Sequence, residues 1–260
     1  MRLRFLGVRG STPVSGDEFA RVGGHTSCLA VSVGDEPSSL VLDAGTGLQT
    51  LNDELGDRPF DGSILLTHLH WDHVQGLPFL PAIDRDDAQV VLAQPAQGDP
   101  LQVLGRAMSP PHFPITPADL RGAWTHVALE PGKHQFGVFE VWARDVVHKG
   151  GRTYGYRVRA GDSTFAYVPD ALDANDDAIL ELAADVDVLV RGAPFVSDES
   201  ERAAAFGHGT AEVAAAIAER ARVRRLVLTH HAPTRTDEMV HGIAKQVGAT
   251  AATEGTTLVF

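Results

Sequence analysis

The sequence has few of the features that mark secreted or membrane-bound proteins. It contains a single cysteine, Cys28, so an internal disulfide bond is excluded and a reducing compartment is expected. No apolar run approaches the roughly 20 residues that a helix needs to cross a bilayer. Residues 1–7 turn polar too early for a signal peptide. We therefore expect a cytoplasmic protein that has no membrane partner.

Positive charge is also scarce. Lysine and arginine together number 22 against 34 acidic residues, which gives a formal net charge of −12. Long nucleic acids bind proteins largely through basic side chains that neutralise phosphates. This balance therefore predicts a small-molecule substrate and no long nucleic acid as partner. The chain has 260 residues, 43% of them hydrophobic, which is enough for a globular core, and a homodimer is compatible with this composition.

A dense group of metal-ligand residues stands out against this background. Residues 67–73 follow the apolar run 63–66, which is typical of a buried strand. Within six positions lie four potential ligands, namely His68, His70, Asp72 and His73. Imidazole and carboxylate are the ligands expected for zinc, manganese or iron. In extended backbone the first two histidines point to the same side, whereas the last two residues follow a turn and can face a second ion.

The pattern His68-x-His70-x-Asp72-His73 resembles the signature of the metallo-β-lactamase-fold hydrolases. Three loops, at residues 7–11, 23–28 and 42–47, are similar to those of a phosphodiesterase-like branch related to ribonuclease Z. The resemblance implies an α/β fold, a four-layer αββα sandwich in which two sheets pack together and helices cover both outer faces. It also implies one domain, residues 1–260, that consists of two pseudo-equivalent halves. The metal site would lie at one edge of the sandwich.

The resemblance implies the remaining ligands as well. One divalent ion would be held by His68, His70 and His148, a second by Asp72, His73 and His230, and Asp170 would bridge the two. Asp72 counts as catalytic in addition to being a ligand. A set of histidine and aspartate ligands without cysteine favours zinc and also fits manganese or iron(II).

His208 is the remaining candidate for chemistry. It lies in a loop before a predicted helix, where ribonuclease Z-like proteins carry His-Ser-Thr, and the resemblance implies that it donates a proton to the leaving alcohol. A capping or surface histidine is the alternative. Gly209 replaces the usual serine, and Arg191-Gly192-Ala193 replaces a usual His-(Glu/Asp)-Ala. Arg191 is expected either to bind a substrate phosphate or to form a surface ion pair.

For several other positions the sequence indicates two alternative roles. Asp43, at the end of a predicted strand, either orients a ligand histidine or caps a turn. His25 either reaches the metal site or is a solvated loop residue. Residues 109–115, which are rich in proline and partly apolar, form either a wall of the substrate site or a packed connector. Residues 175–183 are expected to form an amphipathic helix.

The resemblance implies a dinuclear metal-dependent hydrolase whose metal-bridging hydroxide attacks a phosphodiester. Bacterial ribonuclease Z carries a long arm between its third and fourth metal motifs. Here a single predicted hairpin separates His148 from Asp170, so a small, cyclic phosphodiester is preferred over transfer RNA. The alternatives are a hydrolase of small esters, lactones or thioesters, and a metal-binding protein with impaired catalysis.

Overall fold

Two seven-stranded sheets form the centre of the molecule in the computed structural model, which describes residues 1–172 and 177–260. The first sheet contains β1 (Arg2–Gly7), β2 (Cys28–Ser32), β3 (Leu40–Leu42), β4 (Asp61–Leu65), β5 (Gln89–Pro95), β6 (Ala123–Leu129) and β14 (Thr257–Val259). The second contains β7 (Gly132–Phe136), β8 (Phe139–Val146), β9 (Thr153–Ala160), β10 (Ser163–Val168), β11 (Val188–Gly192), β12 (Arg225–Thr229) and β13 (Thr250–Ala251).

Each sheet has an antiparallel part and a parallel part. In the first, the order is β14-β1-β2-β3-β4-β5-β6, and pairing changes from antiparallel to parallel at β3. In the second, the order is β13-β12-β11-β10-β9-β8-β7, and the change occurs at β10. This shared pattern is consistent with two pseudo-equivalent halves in one domain, which stays a prediction.

Burial along the strands shows how the layers are stacked. In β2, Leu29 belongs to a core that both sheets share, whereas its neighbour Ala30 belongs to a second core on the outer face of the first sheet. In β10, Phe165 lies in the shared core and Ala166 in a third core on the outer face of the second sheet. Alternate residues of a strand point to opposite faces, so both faces of each sheet are covered.

Helices supply the outer layers. They are α1 (Asn52–Leu55), α2 (Trp71–Val74), α3 (Pro100–Gly105), α4 (Asp177–Ala183), α5 (Ser200–Phe206), α6 (Ala211–Arg220) and α7 (Asp237–Gln246). The α/β fold with αββα layers is thereby confirmed. Of the helix expected at residues 175–183, positions 177–183 form α4 and positions 175–176 lie outside the described residues. Within the described part of the chain, no helix is long and apolar enough to span a bilayer.

The ends of several strands meet at one edge of the sandwich. His68 follows β4 in the first sheet, whereas His148, Asp170 and His230 follow β8, β10 and β12 in the second. Two hydrogen bonds tie the sheets together there. The Tyr156 hydroxyl donates to the Leu66 carbonyl (2.6 Å), and the Tyr154 amide donates to the Thr67 carbonyl (2.8 Å). The long loops after these strands therefore face one another across the edge.

Candidate metal centre

Asp43 organises the loop that carries the first four candidate ligands. Its fully buried carboxylate accepts hydrogen bonds through Oδ1 from the Thr67 amide (2.7 Å) and hydroxyl (2.9 Å). Through Oδ2 it accepts from His73 Nδ1 (2.8 Å) and the Tyr167 hydroxyl (3.0 Å). The carboxylate thus fixes the proton of His73 on Nδ1 and leaves Nε2 to face the site. Asp43 therefore orients His73 as expected, and the role of His73 as a metal ligand stays a prediction.

A first group of ligand atoms combines both sheets. It consists of His68, His70, His148 and Asp170, whose ligand atoms all lie within 4.8 Å of one another. His148 Nδ1 donates to the Gly207 carbonyl (2.7 Å), which turns Nε2 toward His70 Nδ1 (3.3 Å). His68 Nε2 lies 3.2 Å from Asp170 Oδ2. Because Gly207 is 59 residues from His148, this orientation depends on the tertiary structure.

A second group also contacts the Asp170 carboxylate. It consists of Asp72, His73 and His230, and Asp170 with His208 and His230 forms an overlapping third group. His230 Nε2 lies 3.0 Å from Asp170 Oδ1 and 3.2 Å from Asp72 Oδ2. His73 Nε2 lies 3.1 Å from Asp170 Oδ2. Asp170 is therefore in contact with both principal groups, as a bridging ligand would be.

The residues present fit divalent cations. His68 Nε2 and Asp170 Oδ1 are buried, and neither has a hydrogen-bond partner among the described residues. Buried polar atoms without partners are costly, and several such atoms that face one another indicate that something else satisfies them. A cation would do so, since imidazole nitrogen and carboxylate oxygen are its usual ligands.

The charges in the site are tightly coupled. Burial alone would lower the pKa of His73, but the carboxylates of Asp72, Asp43 and Asp170 outweigh it and raise that pKa well above its usual value. Burial likewise would raise the pKa of Asp170, but His230 and His73 hold it well below the usual value. A proton and a divalent cation would therefore compete for the same nitrogen, Nε2 of His73.

His208 lies against the ligands and is not at the surface. Its ring centroid is 5.1 Å from those of His148 and His230, and its Nδ1 is 3.7 Å from Asp170 Oδ1. The side chain that caps α6 is that of Thr210. The interpretation as a capping or surface histidine is therefore wrong. Burial, followed by His230, lowers the pKa of His208 to about 3, so the neutral ring is favoured.

Arg191 occupies a place that the sequence did not indicate. The side chain is completely buried, so neither a surface position nor contact with a substrate phosphate is correct. Its guanidinium donates to the carbonyls of Val168 (3.4 Å), Ala171 (3.0 Å) and Gly192 (3.1 Å). The Val168 and Ala171 carbonyls lie on either side of Asp170 in the chain. Arg191 therefore holds the turn that presents the bridging carboxylate.

His25 is not part of the ligand groups among the described residues. Its Nδ1 lies 3.2 Å from the Thr46 hydroxyl, and its carbonyl accepts the amides of Val8 and Arg9. His25 is thus a loop residue, as the second interpretation expected, but it is half-buried and not solvated. The same loop region contributes a contact that was missed, because the Ser11 amide donates to Asp72 Oδ2 (2.7 Å). Only a backbone amide is involved, so no side-chain signal could have revealed it.

Two cavities lie side by side at this edge. The first, of about 460 Å³, is a groove above the ligands that extends from Trp71 to Phe206 and His208. The second, of about 380 Å³, is apolar and includes Trp71, Phe79 and Phe113. Phe113 thus lies beside the site, as a wall would, although the role of residues 109–115 in substrate choice stays a prediction. The sequence reasoning missed Trp71, whose only signal was its position between two ligands.

Comparison with known proteins agrees with this geometry. The family described as the beta-lactamase superfamily domain matches residues 39–231. The chain belongs to this superfamily. It is 27% identical over 287 aligned positions to ribonuclease Z of Haloferax volcanii, across 88% of this chain and 84% of that protein.

Solved structures of the superfamily fold superpose over nearly the whole chain. The metallo-β-lactamase fold protein YhfI of Bacillus subtilis has a TM-score of 0.77 at 19% identity and covers 99% of both chains. The short form of human tRNase Z has a TM-score of 0.73 at 19% identity and covers 100% of this chain and 99% of its own. The superfamily member described here is a metal-dependent hydrolase of the ribonuclease Z-like branch.

The relatives correct one expectation from the sequence. A long nucleic acid was excluded as a partner because of the acidic composition, yet the relatives in this branch are named ribonucleases. The expectation was wrong because net charge averages the whole surface. Binding of a phosphodiester depends on the charge where it binds, and divalent ions at the candidate metal centre would supply positive charge that the sequence does not contain.

Proposed function

We propose that this hydrolase binds two divalent ions, preferably zinc, and hydrolyses phosphodiesters. The observation that carries the proposal is the position of Asp170 between two ligand groups, one containing His68, His70 and His148 and the other containing Asp72, His73 and His230. Bound divalent ions supply Lewis acidity and lower the pKa of a water molecule. Seven ligand residues in this arrangement suit two ions better than one.

The residues of the chain have separate tasks in this proposal. Asp72, held by the Ser11 amide, orients the attacking water and keeps His230 in place. His208 reaches the groove from the loop before α6 and is the proton donor to the departing alcohol. A bound diester would bring negative charge beside His208, which favours the protonated form of the ring.

A small diester, for example a cyclic nucleotide, is the finer proposal. The groove of about 460 Å³ is large enough for a nucleotide-sized ligand. Only the β9–β10 hairpin lies between His148 and Asp170. Because the relatives are named ribonucleases, an RNA must be included among the substrates that are tested. A cytoplasmic location forms part of this proposal.

The test uses metal-loaded protein and a panel of substrates. We expect hydrolysis of bis(4-nitrophenyl) phosphate and of at least one natural diester, among 2′,3′- and 3′,5′-cyclic nucleotides and an RNA with a 3′ extension. Elemental analysis should give two ions per chain. Hydrolysis of esters or lactones without any diester cleavage would contradict the proposal, and so would a fully loaded protein with one ion.

His208 is tested with two leaving groups. His208→Ala should cost about 10²–10⁴-fold in kcat for an alkyl or ribose leaving group, which needs a proton to depart. The cost should be far smaller for a nitrophenolate, which is stable as an anion. Equal losses for both leaving groups would contradict the role of proton donor. Loss of metal from the variant would instead identify His208 as a ligand.

A further inference from the structure

Trp71 is unusual because it is exposed and yet fixed beside the ligands. Its side chain is 74% exposed, and it lies in α2 directly between His70 and Asp72. A large aromatic side chain that contributes little to the core and lies at a reactive site is typical of ligand binding. The ring cannot move far from the metal centre, since its two neighbours in the chain are candidate ligands.

The cavity beside Trp71 is built mainly from aromatic and aliphatic side chains, and Gln75 and His112 are its polar members. Phe79, which is 58% exposed, and Phe113 form an edge-to-face pair with centroids 5.9 Å apart. Leu104 and Met108 complete one side. Among the described residues, no aspartate, glutamate, lysine or arginine lines this cavity. It therefore favours an uncharged apolar group, and its aromatic rings favour a flat one.

Trp71 belongs to both cavities, so a molecule with its phosphoryl group in the groove can extend into the apolar cavity without leaving the surface. His208 lies in the groove but is not part of the apolar cavity. If the leaving group departs beside His208, the substituent that enters the apolar cavity is the one retained on phosphorus.

We infer that Trp71, Phe79 and Phe113 form a subsite for a flat, uncharged ring on the retained substituent of the diester, such as a nucleobase or an aryl group. This inference rests on the proposed function and specifies the substrate class of the same site. Stacking on the Trp71 ring supplies binding energy, and the edge-to-face phenylalanine pair limits the ring to one orientation.

The kinetic test compares two diesters that share a leaving group. Bis(4-nitrophenyl) phosphate and methyl 4-nitrophenyl phosphate both release 4-nitrophenolate, and they differ only in the retained substituent. Trp71→Ala should lower kcat/KM for the aryl diester about 5- to 100-fold, the range expected for loss of one stacking partner. Trp71→Ala should change kcat/KM for the methyl diester by less than about twofold. Phe113→Ala should likewise lower kcat/KM for the aryl diester more than for the methyl diester.

A matched control separates this subsite from general damage. Trp142→Phe alters a half-buried tryptophan on the second sheet, where it lies under Lys133 and Arg159, and should change neither substrate. Equal losses for both diesters in Trp71→Ala would mean that the substitution disturbs the adjacent ligands, and the inference would be overturned.

A binding measurement keeps the inference testable if no diester is cleaved. The chain has three tryptophans, so replacing Trp124 and Trp142 by phenylalanine leaves Trp71 as the sole indole fluorophore. In the metal-loaded variant, phenylphosphonate should quench Trp71 emission at concentrations at least fivefold lower than methylphosphonate does. Ring-dependent quenching without turnover would refute the proposed function and retain the subsite. Quenching that is equal for the two phosphonates would refute the subsite.

Discussion

Replacement of Asp43 by asparagine tests how the metal centre is held in position. Asp43 has a φ of 59°, a left-handed conformation that asparagine adopts as readily as aspartate. Asparagine also has nearly the same shape, so the substitution changes the hydrogen bonds and charge without adding backbone strain. Alanine would be a poorer choice because it would remove the hydrogen bonds and would also add backbone strain at this positive φ.

The size of the effect follows from the donors around the carboxylate. Four hydrogens point at its two oxygens, from the Thr67 amide and hydroxyl, His73 Nδ1 and the Tyr167 hydroxyl. The asparagine NH2 group must face one pair of them. All four hydrogen bonds to the carboxylate are charge-assisted and contribute about 1.5–3 kcal/mol each, whereas neutral replacements contribute about 1 kcal/mol each. The expected loss in the free energy of unfolding is therefore about 2–8 kcal/mol.

Metal affinity should fall for a separate reason. If the asparagine NH2 group faces His73, the imidazole must accept at Nδ1 and carry its proton on Nε2, the nitrogen that faces the other ligands. Partners that orient a ligand in this way typically contribute 10–100-fold to metal affinity. We therefore expect the zinc dissociation constant of Asp43→Asn to rise by about 10–100-fold.

The assay measures both quantities on the same protein. Urea denaturation of chelator-treated protein gives the free energy of unfolding, and competition with a chromophoric chelator gives the affinity for zinc. Asp185→Asn is the matched control, because Asp185 also has a positive φ (55°) but lies in an exposed ion pair with Arg222. The control should change neither quantity. A variant Asp43→Asn that is destabilised yet binds zinc like the wild type would refute the argument from the His73 tautomer.

Three further predictions follow from the site. The pKa of His73 is raised, so its proton should compete with a bound metal ion. The affinity for zinc should therefore fall as the pH decreases from 8 to 6, by up to about tenfold per pH unit for each proton displaced. Calorimetry in buffers of different ionisation enthalpy would detect the released proton. Arg191→Lys should weaken metal binding, because the lysine ammonium group cannot span the Val168 and Ala171 carbonyls on either side of Asp170. Competition with a chelator measures the affinity, and an unchanged value would contradict this prediction. Gly10→Ala should displace the ring of His230, because the new Cβ atom would lie 2.2 Å from Nδ1 of His230. Elemental analysis should then show fewer bound ions than in the wild type.

The sequence alone indicated the candidate ligands within residues 67–73, and the resemblance that this motif carries predicted the fold. Residues 67–73 carry their ligands within a few positions after an apolar strand, so both the chemistry and the local geometry can be read along the chain. The later candidate ligands, such as Asp170, were predicted by resemblance, and each follows a strand in the expected order. Net charge, in contrast, was a poor guide to the substrate because it carries no information about position.

The tertiary structure decided which side chains support those ligands. Asp43 accepts a hydrogen bond from Tyr167, which is 124 residues away, and His148 is oriented by a carbonyl 59 residues away. Arg191 reads as a surface cation in the sequence and is buried in the fold. Trp71 has no assigned role in the sequence, and in the fold it is exposed beside an apolar cavity. The type of a residue fixes what it can bind, but its burial and its partners arise only when the two sheets pack together and bring distant strand ends to one edge.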